Sequence, residues 1–310
     1  MPEARRTDLV LLLVALVWGS SYLTAKTATE AAPVLVVLFL RYLLSALAGV
    51  PLVLATTLGP RARWTREEGK VGAVLGLSQA AVLVLEMYGV AHTSAANAGL
   101  LISLTLVITP LLDRTGGGRL PPRFLLAASL CVLAVGLLTS GTGLAPPGVG
   151  DLLILAAAVV RAAHVTLVGR LTAGRALRPL QLTVVQTSLG SMVFLVPTLA
   201  DLGALKGIDA ANWLQLAYLA LFCSLFAFLA QTWAVQRSSA SRASLLLGTE
   251  PVWAVVIGIA LGGEHLGATT LLGAALMVTG TYWGRSIEHT HRTRMTKEST
   301  PCPTTTPTTV

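Results

Sequence analysis

Ten apolar runs of about 20 residues follow one another along this chain, at 8–28, 34–57, 70–90, 94–112, 122–141, 150–171, 179–200, 211–235, 242–262 and 268–285. Each is long enough to cross the hydrocarbon core of a bilayer as a helix. A backbone in lipid has no water to bond, so a spanning segment is either a helix or a strand of a closed barrel. The alternating, ten-residue pattern of a barrel strand is absent. The chain therefore reads as an all-α membrane protein with ten transmembrane helices. Composition agrees: 54% of its 310 residues are apolar and only 12% are charged, against about 25% charged in soluble domains. Arg5 and Arg6 before the first run give it the look of a signal peptide. The nine runs that follow favour a retained first helix.

The net charge of +8 does not call for a nucleic acid. With the N-terminus placed in the cytoplasm, the loops alternate sides. Of the 22 Lys and Arg, all but Lys26, Arg41, Arg161 and Lys206 then fall on cytoplasmic segments. Lys206 alone lies on the opposite side, and the other three lie inside spans. This is the positive-inside bias of a multi-pass protein of the cytoplasmic membrane with both termini cytoplasmic. Membrane lipids are the partners that the basic loops meet. Cys131, Cys223 and Cys302 show neither metal spacing nor a disulfide framework. Gly116–Gly118 lacks the Lys-Ser/Thr of a phosphate loop. No metal or cofactor is expected. The Thr- and Pro-rich end, 286–310, reads as a disordered cytoplasmic tail.

The stretch YGVAHTSAANAGLLISL, from Tyr88 to Leu104, has a near-copy 145 residues later, WAVQRSSASRASLLLGT, from Trp233 to Thr249. The offset extends further: Arg41 falls on Gln186, Glu86 on Gln231 and Ser103 on Gly248. Spans one to five thus correspond to spans six to ten. Five is odd, so the second half enters the membrane upside down, as in many secondary transporters. Inversion accounts for the charges. His92 and Asn97 of the first copy become Arg237 and Arg242 of the second, which faces the cytoplasm. The repeats are 1–145 and 146–285.

Four segments carry a resemblance to a known family. They are LVWGSSYLTAK ending at Lys26, LRYLLSAL at 40–47, YGVAHTSAANAGLLISL with ITPLL after it, and LLLGTEPVWAVVIGIALGGEHLGATTLLGAALMVTG at 245–280. Over residues 8–285 the chain resembles the EamA family of the drug/metabolite transporter superfamily. The resemblance implies two inverted five-helix halves and a central cavity lined by helices 1–4 and 6–9, with helices 5 and 10 peripheral. It also implies export of small metabolites, proton- or exchange-driven. The chain departs from the family at PLLDRTGGGRLPPRF, where Asp113, Arg114 and three glycines end the fourth span early.

A charge at mid-bilayer costs at least ~2.5–3.5 kcal/mol on insertion scales and persists where it lines a cavity or is paired. Glu250 precedes Pro251, whose missing amide donor predicts a kink and a freed carbonyl near Leu247. That makes Glu250 a candidate substrate or proton site. Arg41 and Glu86, in the outer thirds of their helices, either pair or hold substrate; a guanidinium fork suits a carboxylate. Gln186 and Gln231, their repeat equivalents, keep the polarity. Trp18 and Tyr22 lie one turn apart and share a face with Lys26, which is placed to snorkel. Arg161 and His164 are three apart on one face of the sixth helix, and a histidine there is a candidate proton relay. Glu264 and His265, at the outer end of the ninth helix, read as interface or capping residues. Gly19, Gly49, Gly99, Gly248, Gly258, Gly273 and Gly280 suit close helix packing.

The function expected is a secondary transporter rather than an enzyme. It would move a small-molecule substrate by alternating access, with protons as the coupling ion or by exchange, as a monomer or homodimer. A membrane enzyme acting on a lipid-linked substrate would want clustered acids or histidines near the interface, and none are clustered here. A non-transporting sensor or scaffold is the other alternative.

Overall fold

The computed structural model describes residues 3–57, 64–112, 122–139, 147–237, 247–264 and 267–298. Among them every regular element is helical. The chain runs through α1 (Glu3–Ala31), α2 (Val34–Thr57), α3 (Arg66–Ala91), α4 (Ala95–Ile102), α5 (Thr105–Leu112), α6 (Pro122–Thr139), α7 (Val149–Thr172) and α8 (Pro179–Thr198). A 3₁₀ segment, Leu199–Gly207, leads to α9 (Ala210–Ala220). A π-helical turn, Leu221–Phe226, joins α9 to α10 (Ala227–Arg237). Then come α11 (Glu250–Ala260) and α12 (Ala268–Glu298). The tandem pairs α4–α5 and α9–α10 each make one crossing, so the elements form the ten expected spans. Seven of these crossings are long and apolar enough to traverse a membrane by length and composition alone; Pro122–Leu138 and Glu250–Ala260 are shorter apolar helices.

The surface is the reverse of a soluble protein's. Leu126, Val132, Met192, Val196 and Leu214 are 61 to 74% exposed. Arg41, His164, Gln186 and Glu250 are buried. An apolar exterior with the polar groups kept inside is what lipid as solvent selects. Ten crossings put both chain ends on one face of the bundle, the terminal face; the other is the distal face.

The packing follows the twofold relation of the repeat. Three pairs of equivalent spans meet each other: α6 with α12, α2 with α8, and α4 with α11. The remaining contacts come in matched sets. The α1·α11 contact is mirrored by α7 on α4 and α5, and α3·α7 by α1 on α9 and α10. The fifth and tenth spans, α6 and α12, pack chiefly on each other at the edge of the bundle. Glycines set several of these approaches. A Cβ on Gly280 of α12 would stand 2.8 Å from the Cys131 sulfur of α6. One on Gly99 of α4 would overlap Ala254 of α11.

One expectation changes here. Helix α12 continues to Glu298, so the stretch from 286 onward begins as helix; residues 299–310 lie outside the described residues. The charged interruption at 113–119 also lies outside them.

Candidate functional site

Spans four and nine are both broken, at positions related by the repeat. In span four the break falls at Ser103 and Leu104, between α4 and α5. There the amides of Ser103, Leu104, Leu106 and Val107 all reach back three residues, to Leu100, Leu101, Ser103 and Leu104. The Ser103 hydroxyl also donates to the Leu100 carbonyl at 2.6 Å. In span nine the break falls at Gly248 and Thr249, and α11 starts anew at Glu250. Sequence reasoning expects Pro251 to kink a continuous helix. Instead Pro251 stands in the first turn of a half-helix, where a missing amide donor has little cost. Glu250 therefore sits at a helix N-terminus, which favours a negative charge.

Glu250 holds the centre of the site. Arg161 of α7 grips it with two bonds, Nη1 to Oε1 at 3.0 Å and Nη2 to Oε2 at 2.8 Å. The Tyr22 hydroxyl of α1 donates to the same Oε1, and Arg161 Nη1 lies 3.4 Å from the Tyr22 oxygen. The guanidinium lies over the Trp18 ring, 4.6 Å from its centroid. The side chains of Arg161 and Glu250 are 13% and 5% exposed. Such a fork-to-fork pair, capped by an aromatic face, is the arrangement that suits a guanidinium out of water.

A second cluster forms around the π turn of span eight. A π turn leaves carbonyls without their usual helical partners. Here the Cys223 carbonyl accepts from Trp18 Nε1 at 3.0 Å and from Arg41 Nη2 at 3.4 Å. Arg41 Nε donates to the Ser224 hydroxyl at 2.6 Å, and Ser45 lies 2.8 Å from the Ala220 carbonyl. Arg41 and Glu86 form no ion pair with each other. Glu86 makes no hydrogen bond or ion pair among the described residues.

Two cavities meet at the Arg161–Glu250 pair. The central one contains about 370 Å³ of empty space, with Trp18, Arg41, Gln79, Glu86, His164 and Phe228 on its walls. The other contains about 520 Å³ and runs toward the terminal face past Ser103, Thr105, Thr109, Val235 and Leu247. Arg161, Val165, Gln231 and Glu250 border both. The lining comes from spans one to four, six, eight and nine. Span seven contributes none, so Gln186, buried with its Nε2 unpartnered, stands away from both cavities. His164 Nδ1 is 2.8 Å from the Ser78 hydroxyl of α3, an interhelical bond.

Among the described residues, polar contacts cross both faces. On the distal face the Glu264 carboxylate accepts from the amides of Ala95 and Ala96, at 2.7 and 3.0 Å, at the start of α4. Asp151 accepts from Thr93 and Asn97, and Lys26 donates to the Thr93 carbonyl at 3.0 Å. Lys26 therefore binds backbone rather than joining Trp18 and Tyr22. On the terminal face Thr65 and Glu68 form a capping box that starts α3. Glu68 also receives Arg178 Nε and Nη2, both at 2.8 Å. Gln236 donates to the Leu177 carbonyl at 3.1 Å. Arg242 and His265 lie outside the described residues.

Sequence reasoning missed the π turn, for which no residue pattern signals. It also missed Gln79, which a search for isolated polar residues in apolar runs would have found.

The fold and site define a class: a multi-pass helical membrane protein of two inverted repeats with a charged pair between central cavities. The profile of the EamA-like transporter family matches residues 5–140 and 148–283, one match per repeat, and the chain belongs to that family. It is 24% identical over 272 residues to an uncharacterized transporter of Archaeoglobus fulgidus, covering 87% of this chain and 83% of that one. A solved crystal structure shares the fold at a TM-score of 0.64 and 19% identity, over 90% of this chain and 95% of the other.

Proposed function

We propose that the chain is a secondary transporter that exports a small organic solute across the cytoplasmic membrane by alternating access, and that opening the Arg161–Glu250 pair is the coupled step. The carrying observation is the position of that pair. It borders both cavities, at the start of a half-helix whose repeat equivalent is also broken. Discontinuous helices meeting at the midplane of inverted repeats are a recurring design of secondary transporters. A solute passing from one cavity to the other must displace the pair. A carboxylate-bearing solute competes for Arg161, and a proton on Glu250 loosens the pair from its other side. The loop charges support cytoplasmic termini, which makes the terminal face the cytoplasmic one in this reading. Export, proton coupling and exchange are the modes that family membership supports.

The test is flux into proteoliposomes under an imposed pH gradient, with labelled amino acids, nucleobases and organic cations as separate pools. Gradient-dependent flux is expected from the native protein. Glu250→Gln leaves the Arg161 charge without its counter-ion, a loss worth about 3–5 kcal/mol when a buried pair is broken. Flux should then fall by at least about tenfold. Native-like flux in the variant would remove Glu250 from the mechanism. No flux of any pool by the native protein would count against transport itself.

A further inference from the structure

We infer that the π turn passes between spans eight and three as access switches sides, and that Gln186 is the positioning residue of the opposite state. There it donates to a freed Ser78 carbonyl, as Arg41 here donates to the Cys223 carbonyl. The inference rests on the transporter reading and names the element that moves with the Arg161–Glu250 pair.

Ser78 and Cys223 are equivalents at the 145-residue offset, as are Gln79 and Ser224, and Arg41 and Gln186. Ser78 and Cys223 are each reached by a ring nitrogen from the first span of the other half. Trp18 Nε1 of span one donates to the Cys223 carbonyl at 3.0 Å, and His164 Nδ1 of span six lies 2.8 Å from the Ser78 hydroxyl. The second span of each half breaks the match. Arg41 is bonded to Ser224 and Cys223. Its twin Gln186 is 2% exposed, and the Gln186 Nε2 has no partner among the described residues. A buried donor left without a partner is costly.

Span three is suited to take the turn. It is a continuous helix here, so its Ser78 carbonyl is held by the amide four residues on and has nothing to offer Gln186. A Cβ on Gly76 would stand 3.0 Å from the Gln186 Cα, so the turn that Gly76 opens lies beside Gln186. A glycine and a serine in one turn are a place where helices bend. A π turn over 76–81, the equivalents of 221–226, frees a carbonyl for Gln186. Trp18 ties this exchange to the ion pair. Its Nε1 holds the Cys223 carbonyl, and its ring covers the Arg161 guanidinium. When span eight closes into a regular helix, the Cys223 carbonyl takes the Ala227 amide. Trp18 then lets go, and Arg161 loses its aromatic cover. The larger cavity runs toward the terminal face, so the arrangement seen here is assigned to the terminal-facing side of the cycle.

Hydrogen exchange of the purified full chain tests this. Glu264→Gln, which loosens the distal face, should raise exchange at 79–83 in span three and lower it at 224–228 in span eight. Arg41→Met takes a donor from the Cys223 carbonyl without touching either face. It should move the same two segments in the same directions. Adding Gln186→Met to either variant should reduce the shift by about two- to tenfold, the worth of one buried hydrogen bond. Alone, Gln186→Met should melt no lower than the native protein, since it removes a donor that is unpartnered in this state. Two segments that move together, or not at all, in both variants overturn the inference. So does a shift that persists undiminished once Gln186 is replaced. So does a Gln186→Met variant that melts well below the native protein, since Gln186 is then a structural residue of this state. A variant that does not elute as the native protein does is set aside, and the other decides.

Flux separates this inference from the reading beneath it. Flux that depends on Glu250, with spans three and eight unmoved in both variants, keeps the transporter and removes the exchange. Opposite movement of the two spans, with no flux of any pool by the native protein, keeps the exchange and removes the transport.

Discussion

Tyr22 shows how much one side chain does at the centre of this protein. Its ring is buried in the main core between α1 and α11, and its hydroxyl donates to the Glu250 oxygen that Arg161 Nη1 also holds. Phenylalanine keeps the ring and removes that donor. Glu250 keeps both guanidinium bonds, so Tyr22→Phe should unfold at a lower temperature by the equivalent of about 1–2 kcal/mol. Its flux should fall by less than that of Glu250→Gln. A thermal melt beside the flux assay checks both; a variant as inactive as Glu250→Gln would give the hydroxyl a part in the coupled step. The residues of this site were legible in the sequence because charge and aromaticity stand out inside apolar runs. Their partners were not. Sequence spacing reveals neighbours on one helix, such as Arg161 with His164, but not contacts between helices distant in the chain. Arg161 turns out to grip Glu250, 89 residues away, and His164 turns to Ser78. Arg41, read as either a partner for Glu86 or a holder of substrate, bonds to a π turn that no residue pattern announces.

At the scale of elements, the ten spans and their inverted pairing could be read from length, loop charge and the repeat. The breaks in them could be read only in part. Pro251 marks one, though as the start of a half-helix rather than a kink. Its twin at Ser103 and Leu104 has no proline or glycine to betray it, since the break there is made by i to i+3 bonds. These half-helices are held by close approach. A Cβ on Gly19 of α1 would lie 2.5 Å from the Trp253 Cβ and 2.9 Å from the Glu250 carbonyl oxygen of α11. Neither neighbour is the free end of a flexible chain. Gly19→Ala should therefore force α1 and α11 apart and destabilise the protein by about 1–3 kcal/mol. Gly136→Ala, in α6, meets nothing within 4 Å. It should be neutral or stabilise by up to about 1 kcal/mol through helix propensity. Thermal melts of the two variants in one detergent make the comparison. Equal melting temperatures would mean that α1 and α11 are not tightly seated.

For the molecule as a whole, alternating access requires that each face be closed by contacts that can also open. The distal face is held by Glu264 on the first amides of α4, by Asp151 on Thr93 and Asn97, and by Lys26 on a carbonyl. The terminal face is held by Glu68 on Arg178 and by Gln236 on Leu177. Hydrogen bonds to a charged group contribute about 1.5–3 kcal/mol. Neutralising the acid on one face should shift the balance of open and closed states there by roughly ten- to a hundredfold. The two faces compete, since a state open on one side is closed on the other. Glu264→Gln should therefore speed hydrogen exchange at the start of α4, around Ala95 and Ala96, and slow it at the start of α3. Glu68→Gln should do the reverse. Helices α6 and α12, which pack chiefly on each other at the edge, should exchange at the native rate in both variants and serve as the internal reference. Exchange that rises only at the mutated face, with no answering protection across the bundle, would show that the two closures are independent. The halves would then not rock as a unit around the Arg161–Glu250 pair.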